Sequence, residues 1–158
     1  MVRNKKKRII NYMLIICILS IITSLYLLYL HYSTKESFCD INQGLSCDIV
    51  NRSIYSEFPP GSGIPVSLMG IITFLIVVTA LNLIKDNKSF RIGKIKVNKK
   101  ILANFIFYLM IASLLFALYL VYAELFLILS ICILCVVLDI FIIILLVLSY
   151  KLRGVVNG

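Results

Sequence analysis

The sequence predicts an all-α integral membrane protein in which one domain, residues 1–158, crosses the bilayer four times. Two observations lead to this prediction. Hydrophobic residues make up 61% of the 158 residues, and the mean hydropathy is +1.04. A soluble core of this size could not bury so much apolar side chain. The apolar residues are also gathered into runs of membrane-spanning length, separated by polar or basic segments.

The first two runs are predicted to be separate transmembrane helices. Residues 9–30 follow a basic leader, and their length and lack of a small-residue cleavage site indicate a retained span rather than a signal peptide. The second span, 64–84, comes directly after the stretch 59–63, whose prolines and glycines would break any helix running into it. A polar segment, 31–63, connects the two spans.

The last apolar run, 101–150, is predicted to contain two further spans. As a single helix it would be about 75 Å long, more than twice the hydrocarbon thickness of a bilayer. Its two charged residues are Glu124 and Asp139. We therefore expect spans at 101–121 and 125–150, joined by a tight turn at residues 122–124.

The basic residues predict the orientation of the chain. Of sixteen Lys and Arg residues, five lie in 3–8, seven in 85–100 and two at positions 151 and 153. By the positive-inside rule both termini are cytoplasmic, and segment 31–63 lies outside the cell membrane. Because the basic clusters follow the ends of the spans, we predict a multi-pass membrane protein in contact with lipid and no nucleic-acid partner.

Four of the five cysteines form two short-range pairs. Cys132 and Cys135 would lie on a helix with Cα atoms about 5–6 Å apart, within reach of a disulfide. Counting about 20 residues back from the cytoplasmic end of the fourth span places Cys132 at the outer rim and Cys135 about one turn deeper. Cys39 and Cys47 lie in the outer segment, so both pairs meet at the oxidising face of a prokaryotic membrane.

Two pairs at one face indicate thiol–disulfide exchange, in which a thiolate attacks a disulfide sulfur. The loop pair would meet a soluble partner and then transfer to the rim pair. A Cys39–Cys47 disulfide would stabilise the loop by about 2–3 kcal/mol, little enough for the bond to be exchanged. Two alternatives stay open: a structural loop disulfide, and core filling by Cys132 and Cys135. Cys17, inside the first span, is predicted to be buried and inert.

Electrons that reach Cys135 need an acceptor inside the bilayer. A lipid-soluble quinone is the natural one, because it carries two electrons and two protons, and no metal ligand set is apparent. Asp139 shares a helix face with Cys135 and is a candidate for proton delivery or a hydrogen bond to the quinone. The alternative role of Asp139 is a packing contact with Asn104, Tyr108 or a similar polar group on a neighbouring span.

Four motifs follow one another along the chain, and they are Cys39-x7-Cys47, Ser53, the stretch Gly63–Gly70 and Cys132-x2-Cys135. Their spacing resembles the vitamin K epoxide reductase family, and most of all its prokaryotic members that oxidise extracytoplasmic thiol oxidoreductases. The resemblance extends from the first span to the fourth. It implies a four-helix bundle around a quinone of the menaquinone or ubiquinone type, capped by the outer loop and a short helix.

The resemblance also implies roles for individual residues. Cys39 and Cys47 would be the shuttle pair that serves a separate thioredoxin-fold, DsbA-like partner. Cys132 and Cys135 would be the redox centre, with Cys135 next to the quinone. No fused thioredoxin-like domain is expected in this chain.

Two further residues are candidates for quinone binding. Ser53 matches a serine that the family places near its active site, and Tyr55 would set a ring over the rim. The alternative is that both are ordinary residues of a short loop helix. Asp139 stands where vertebrate members carry a quinone-contacting tyrosine, and residues 58–62 look like an insertion.

The sequence therefore predicts a quinone-dependent thiol–disulfide oxidoreductase that supports disulfide bond formation. The alternative is a non-catalytic membrane subunit or assembly factor whose loop disulfide is structural. A small transporter that uses Asp139 as its coupling residue is not favoured, because the sequence has neither paired broken helices nor an internal repeat.

Overall fold

The computed structural model describes residues 2–33, 37–42, 44–86, 90–92 and 95–157. Parts of the predicted outer segment (34–36 and 43) and of the basic loop (87–89 and 93–94) lie outside the described residues. The elements follow in the order α1 (Val2–Tyr32), α2 (Cys47–Asn51), a 3₁₀ turn (Ile54–Ser56), α3 (Val66–Lys85), β1 (Phe90–Ile92), β2 (Ile95–Val97), α4 (Lys99–Tyr122), a π-helical segment (Ala123–Ile128) and α5 (Ile133–Asn157).

The predicted four-helix membrane bundle is confirmed. Within the described ranges, four helices are long and apolar enough to cross a membrane, and they are Asn4–Tyr32, Val66–Lys85, Lys99–Ile128 and Ile133–Val156. Their outward faces carry large apolar side chains such as Ile15, Ile22, Ile72 and Ile143, each about half exposed. A protein in water rarely presents so continuous an apolar surface, so these faces lie against lipid.

The four long helices form a closed ring. Helix α1 packs against α3 and α5, and α4 packs against the same two helices. At one end the Lys6 ammonium donates a hydrogen bond to the carbonyl of Ile84 (3.1 Å), tying the basic start of α1 to the end of α3. The interior near this end is the inner core, a cluster of buried apolar residues that includes Ile10, Met13, Cys17, Phe74, Val77, Leu81, Ile84, Ile106, Met110 and Leu145.

The predicted turn at 122–124 is wrong. Helix α4 continues without interruption into the π-helical segment, and the chain reverses at Leu129, whose φ of 57° is left-handed. The third and fourth spans are therefore 99–128 and 133–156 rather than 101–121 and 125–150. The prediction failed because it treated Glu124 as a water-facing turn residue, whereas this side chain is buried in the bundle.

The basic connection between α3 and α4 contains a hairpin that the sequence analysis described only as a loop. Strands β1 and β2 pair antiparallel, with Phe90 opposite Val97 and Ile92 opposite Ile95. Each strand alternates apolar, basic and apolar residues, which is the two-residue period of a strand. Three residues are too few for this pattern to stand out beside the long apolar runs.

Candidate active site

The outer loop is fixed to the end of α1 by its own short helix. Helix α2 begins after Ser46, whose hydroxyl accepts a hydrogen bond from the N–H of Ile49 (3.1 Å). The amide of Asn51 donates to the carbonyl of Leu27 (2.7 Å), and the backbone carbonyl of Asn51 lies 2.7 Å from Nδ1 of His31. These bonds hold α2, as a cap, over the end of the bundle opposite the basic start of α1, here called the outer end.

The loop pair is joined as a disulfide. Cys39 and Cys47 have Cα atoms 5.7 Å apart, and both side chains are buried. Together with Leu27, Val50 and Cys132 they form a packed group, here called the cysteine cluster. The two predicted cysteine pairs therefore meet inside the protein at the outer end of the bundle.

A short backbone bridge brings the loop to the second pair. Leu45 and Ile131 form an isolated parallel bridge, and the N–H of Ile131 donates to the carbonyl of Gly44 (3.0 Å). Cys47 follows Leu45 by two residues, and Cys132 follows Ile131 by one. The bridge thus sets the start of α2 beside the start of α5.

The two cysteines of the second pair have different surroundings. Both cysteines are free thiols, and the N–H of Cys135 donates to the sulfur of Cys132 (3.3 Å). Cys132 is fully buried within the cysteine cluster, whereas Cys135 is partly exposed and lines a cavity. Cys132 therefore meets the loop disulfide, and Cys135 meets whatever occupies the cavity.

The cavity has a volume of about 310 Å³ and lies inside the ring of helices, beneath α2 and the 3₁₀ turn. This volume falls at the lower end of the range typical of small-molecule sites. Its walls are mainly apolar, with residues such as Leu27, Phe74, Phe116, Leu120 and Ile142. Its polar lining residues are Ser24, Asn51, Tyr55, Ser56, Ser67, Thr73, Ser113, Glu124 and Asp139.

The sequence analysis missed Glu124 as a site residue. Its side chain is 5% exposed, lines the cavity, and accepts a hydrogen bond from the N–H of Cys132 at Oε2 (3.2 Å). The sequence did contain a signal for this role, since an acidic residue inside an apolar run is by default a candidate functional residue. It was overlooked because the same residue also suited a turn.

A comparison with protein-family models matches residues 11–150 to the vitamin K epoxide reductase family. The chain belongs to this family. No curated protein matches the chain significantly. The predicted resemblance is confirmed, and membership makes the chain a multi-pass membrane protein of the thiol–disulfide oxidoreductase class.

Of the remaining residues that the resemblance pointed to, two line the cavity and one does not. Tyr55 and Asp139 line the cavity, and Asp139 lies on the same α5 wall as Cys135. Ser53 is not among the cavity-lining residues, because its hydroxyl donates to the carbonyl of Val50 (2.8 Å) and closes the end of α2. The roles of all three in binding stay predictions.

The alternative role of Asp139 as a packing group stays a prediction. The ring of Tyr108 lies 5.7 Å from the guanidinium of Arg153, a residue fourteen positions, or about 21 Å of helix, beyond Asp139. Asp139 itself lines the cavity.

Metal ligation was also considered. In the parts of the chain that the structure describes, no group of three or more His, Cys, Asp or Glu side chains is arranged to hold a metal ion. The chemistry available at this site is that of thiols, carboxyl groups and an apolar cavity.

Proposed function

We propose that this protein is a thiol:quinone oxidoreductase that reoxidises a separate thioredoxin-fold, DsbA-like partner. Electrons would enter at Cys39 and Cys47, pass to Cys132 and Cys135, and leave on a quinone of the menaquinone or ubiquinone type. The observation that carries the proposal is the arrangement of the four cysteines. The loop disulfide and Cys132 belong to one buried cluster, and the neighbouring Cys135 lines a cavity with mainly apolar walls.

Each transfer is a thiol–disulfide exchange. A partner thiolate attacks the loop disulfide, and the resulting loop thiolate then attacks an oxidised inner pair. In the structure the loop pair is a disulfide and the inner pair is reduced.

The residues around the cavity fit a quinone. A quinone is a flat apolar ring with two carbonyl oxygens, and it supplies a two-electron, two-proton acceptor. The apolar walls suit the ring, and the polar side chains beside Cys135 suit a carbonyl. Asp139 would hold or deliver a proton there, and Tyr55 would lie over the ring from the 3₁₀ turn.

The distribution of charge supports the orientation. The basic start of α1 bonds to the end of α3, and the cysteine cluster lies at the opposite end of α1, beside Leu27. With the basic end in the cytoplasm, the loop disulfide lies on the extracytoplasmic side of the cell membrane. That compartment permits disulfides to persist.

The experiment that tests this function compares two reductants. Purified protein in lipid nanodiscs containing a quinone should form quinol from a reduced thioredoxin-fold partner and from dithiothreitol. In Cys39→Ala or Cys47→Ala, turnover with the protein partner should be lost and turnover with dithiothreitol retained, because the small reductant reaches the inner pair directly. Quinol formation is followed by absorbance.

Two outcomes would contradict the proposal. Wild-type protein that forms no quinol from either reductant is not a quinone reductase. If both loop variants fail equally with both reductants while the wild type is active, the loop disulfide is needed for folding and the relay through Cys39 and Cys47 is wrong.

A further inference from the structure

We propose that Glu124 is a catalytic residue that accepts the proton of the Cys135 thiol when the inner pair is oxidised. The inference rests on the proposed function and adds a named proton acceptor to it. The supporting observation is that the buried carboxyl group of Glu124 lies beside Cys132, Cys135 and the cavity.

Glu124 lies beside the inner pair. Its Oε2 accepts the N–H of Cys132 at 3.2 Å, the N–H of Cys135 donates to the sulfur of Cys132 at 3.3 Å, and Glu124 and Cys135 line the same cavity. Its backbone carbonyl accepts the N–H of Ser130 (3.2 Å). Backbone and side chain are thus both held by the turn that leads into α5, which fixes the carboxyl group beside the sulfurs.

Oxidation of the pair needs a proton acceptor at this place. Cys132 is fully buried, and Cys135 opens toward a cavity with mainly apolar walls. Asp139 and Tyr55 line the same cavity, and Glu124 is in addition bonded to the N–H of Cys132. A general base must lie close to the proton it takes, and this bond holds the Glu124 carboxyl group beside the two sulfurs.

The reaction balances with Glu124 as a carrier. Two S–H bonds break, one S–S bond forms between Cys132 and Cys135, and two electrons and two protons finish on the quinone as a quinol. Glu124 takes the Cys135 proton and passes it to a quinone oxygen, so it is unchanged at the end of a turnover. The Cys132 proton replaces the one that Asp139 gives to the second quinone oxygen, so both carboxyl groups are unchanged at the end of a turnover.

The main variant is Glu124→Gln, which keeps the size of the side chain and an oxygen that accepts the Cys132 N–H. Loss of a general base typically costs about 10²–10⁴-fold in rate, so quinol formation should fall by about that factor with dithiothreitol as well as with a protein partner. The matched control is Glu57→Gln. The Glu57 carboxylate also accepts a backbone N–H, from Gly63 at 2.8 Å, but on the outer loop, and its variant should turn over normally.

A second readout needs no quinone. In quinone-free protein that carries Cys132→Ala, the backbone N–H at position 132 remains for Glu124, and alkylation of Cys135 by a neutral reagent can be followed by mass spectrometry. Adding Glu124→Gln removes the acceptor of the thiol proton, so alkylation near neutral pH should slow together with quinol formation. At a pH high enough to form the thiolate without Glu124, both proteins should be alkylated at equal rates, which is the expected signature of a lost proton acceptor.

Several results would overturn the inference. Normal turnover in Glu124→Gln removes it, and so does a loss of turnover with alkylation that stays slower at high pH, since that indicates a displaced Cys135. Both results presuppose an active wild type, so they are distinct from failure of the proposed function. If Glu124→Gln does not fold, Glu124→Asp and Glu124→Asn form a matched pair of equal length. Asp should be at least about tenfold faster, and equal rates reject the proposal.

Discussion

Two cysteines of this chain are equally buried and chemically different. Cys17 and Cys132 are both 0% exposed. Cys17 lies in the inner core, surrounded by apolar side chains of α1, α3, α4 and α5. Cys132 lies in the cysteine cluster, where its sulfur accepts the N–H of Cys135 and its own N–H bonds to Glu124. Burial alone therefore does not determine what a cysteine does, because its neighbours supply the chemistry.

The same difference separates the two ends of the bundle. The inner core requires apolar volume, and such cores tolerate exchange between hydrophobic residues of similar size. The outer end requires particular atoms, because a carbonyl, a carboxylate and an amide each hold one part of the loop or the turn. A substitution at the inner end should change stability, whereas one at the outer end should change the reaction.

The largest expected effect comes from replacing a cysteine with alanine at one end of the bundle or at the other. Cys132→Ala or Cys135→Ala should abolish quinol formation with every reductant, because no inner disulfide can form. Cys17→Ala is the matched control, and it should keep wild-type turnover while lowering the free energy of unfolding by about 1 kcal/mol through a small cavity. Turnover is measured in nanodiscs, and stability by thermal unfolding in detergent.

Two results would contradict this difference between the two ends of the bundle. Thiol-driven turnover at the wild-type rate in Cys132→Ala or Cys135→Ala would remove the redox interpretation of the outer end. Loss of turnover in a folded Cys17→Ala would show that the inner core takes part in the reaction.

The inner end of the bundle was largely predictable from the sequence. Length, hydropathy and the positions of Lys and Arg set the number of spans, and the burial of Cys17 is confirmed. These properties depend on composition averaged over many residues. The predicted meeting of both cysteine pairs at one end also agrees with the structure, since counting residues along a helix measures depth well.

The outer end was predicted less completely, because its geometry depends on single bonds between distant residues. The bridge between Leu45 and Ile131 and the contact of Glu124 with Cys132 join segments that no periodicity connects. The amide of Asn51 reaches back to Leu27 in the same way. Residue type alone could not tell a turn acid from a buried one, and the predicted turn was therefore misplaced.

A smaller effect is expected at Asp139, which tests whether the cavity wall is chemically active. Asp139→Asn keeps the size and a hydrogen-bond donor but has no transferable proton, and Asp139→Leu has neither. If Asp139 delivers a proton, as proposed, both variants should slow quinol formation by about 10²-fold. Asn should still bind quinone nearly as well as the wild type, measured by quinone fluorescence quenching or calorimetry.

The two variants also distinguish the other roles of Asp139. A mild Asn phenotype beside weak quinone binding in Leu would indicate a hydrogen bond without proton transfer. Normal turnover and binding in both variants would mean that Asp139 is packing, and the cavity wall would then resemble the inner core.

The smallest expected effect compares two loop residues that the sequence analysis treated alike. Tyr55 lines the cavity, so Tyr55→Phe should raise the quinone KM by about two- to tenfold if its hydroxyl bonds to the quinone, since one hydrogen bond contributes about 0.5–1.5 kcal/mol. Ser53 bonds to the carbonyl of Val50, so Ser53→Ala should lower the free energy of unfolding by about 1 kcal/mol and leave the KM unchanged. A raised KM in Ser53→Ala with normal stability would reverse this assignment. It would mean that the end of α2 shifts to bring Ser53 into the cavity when a quinone binds.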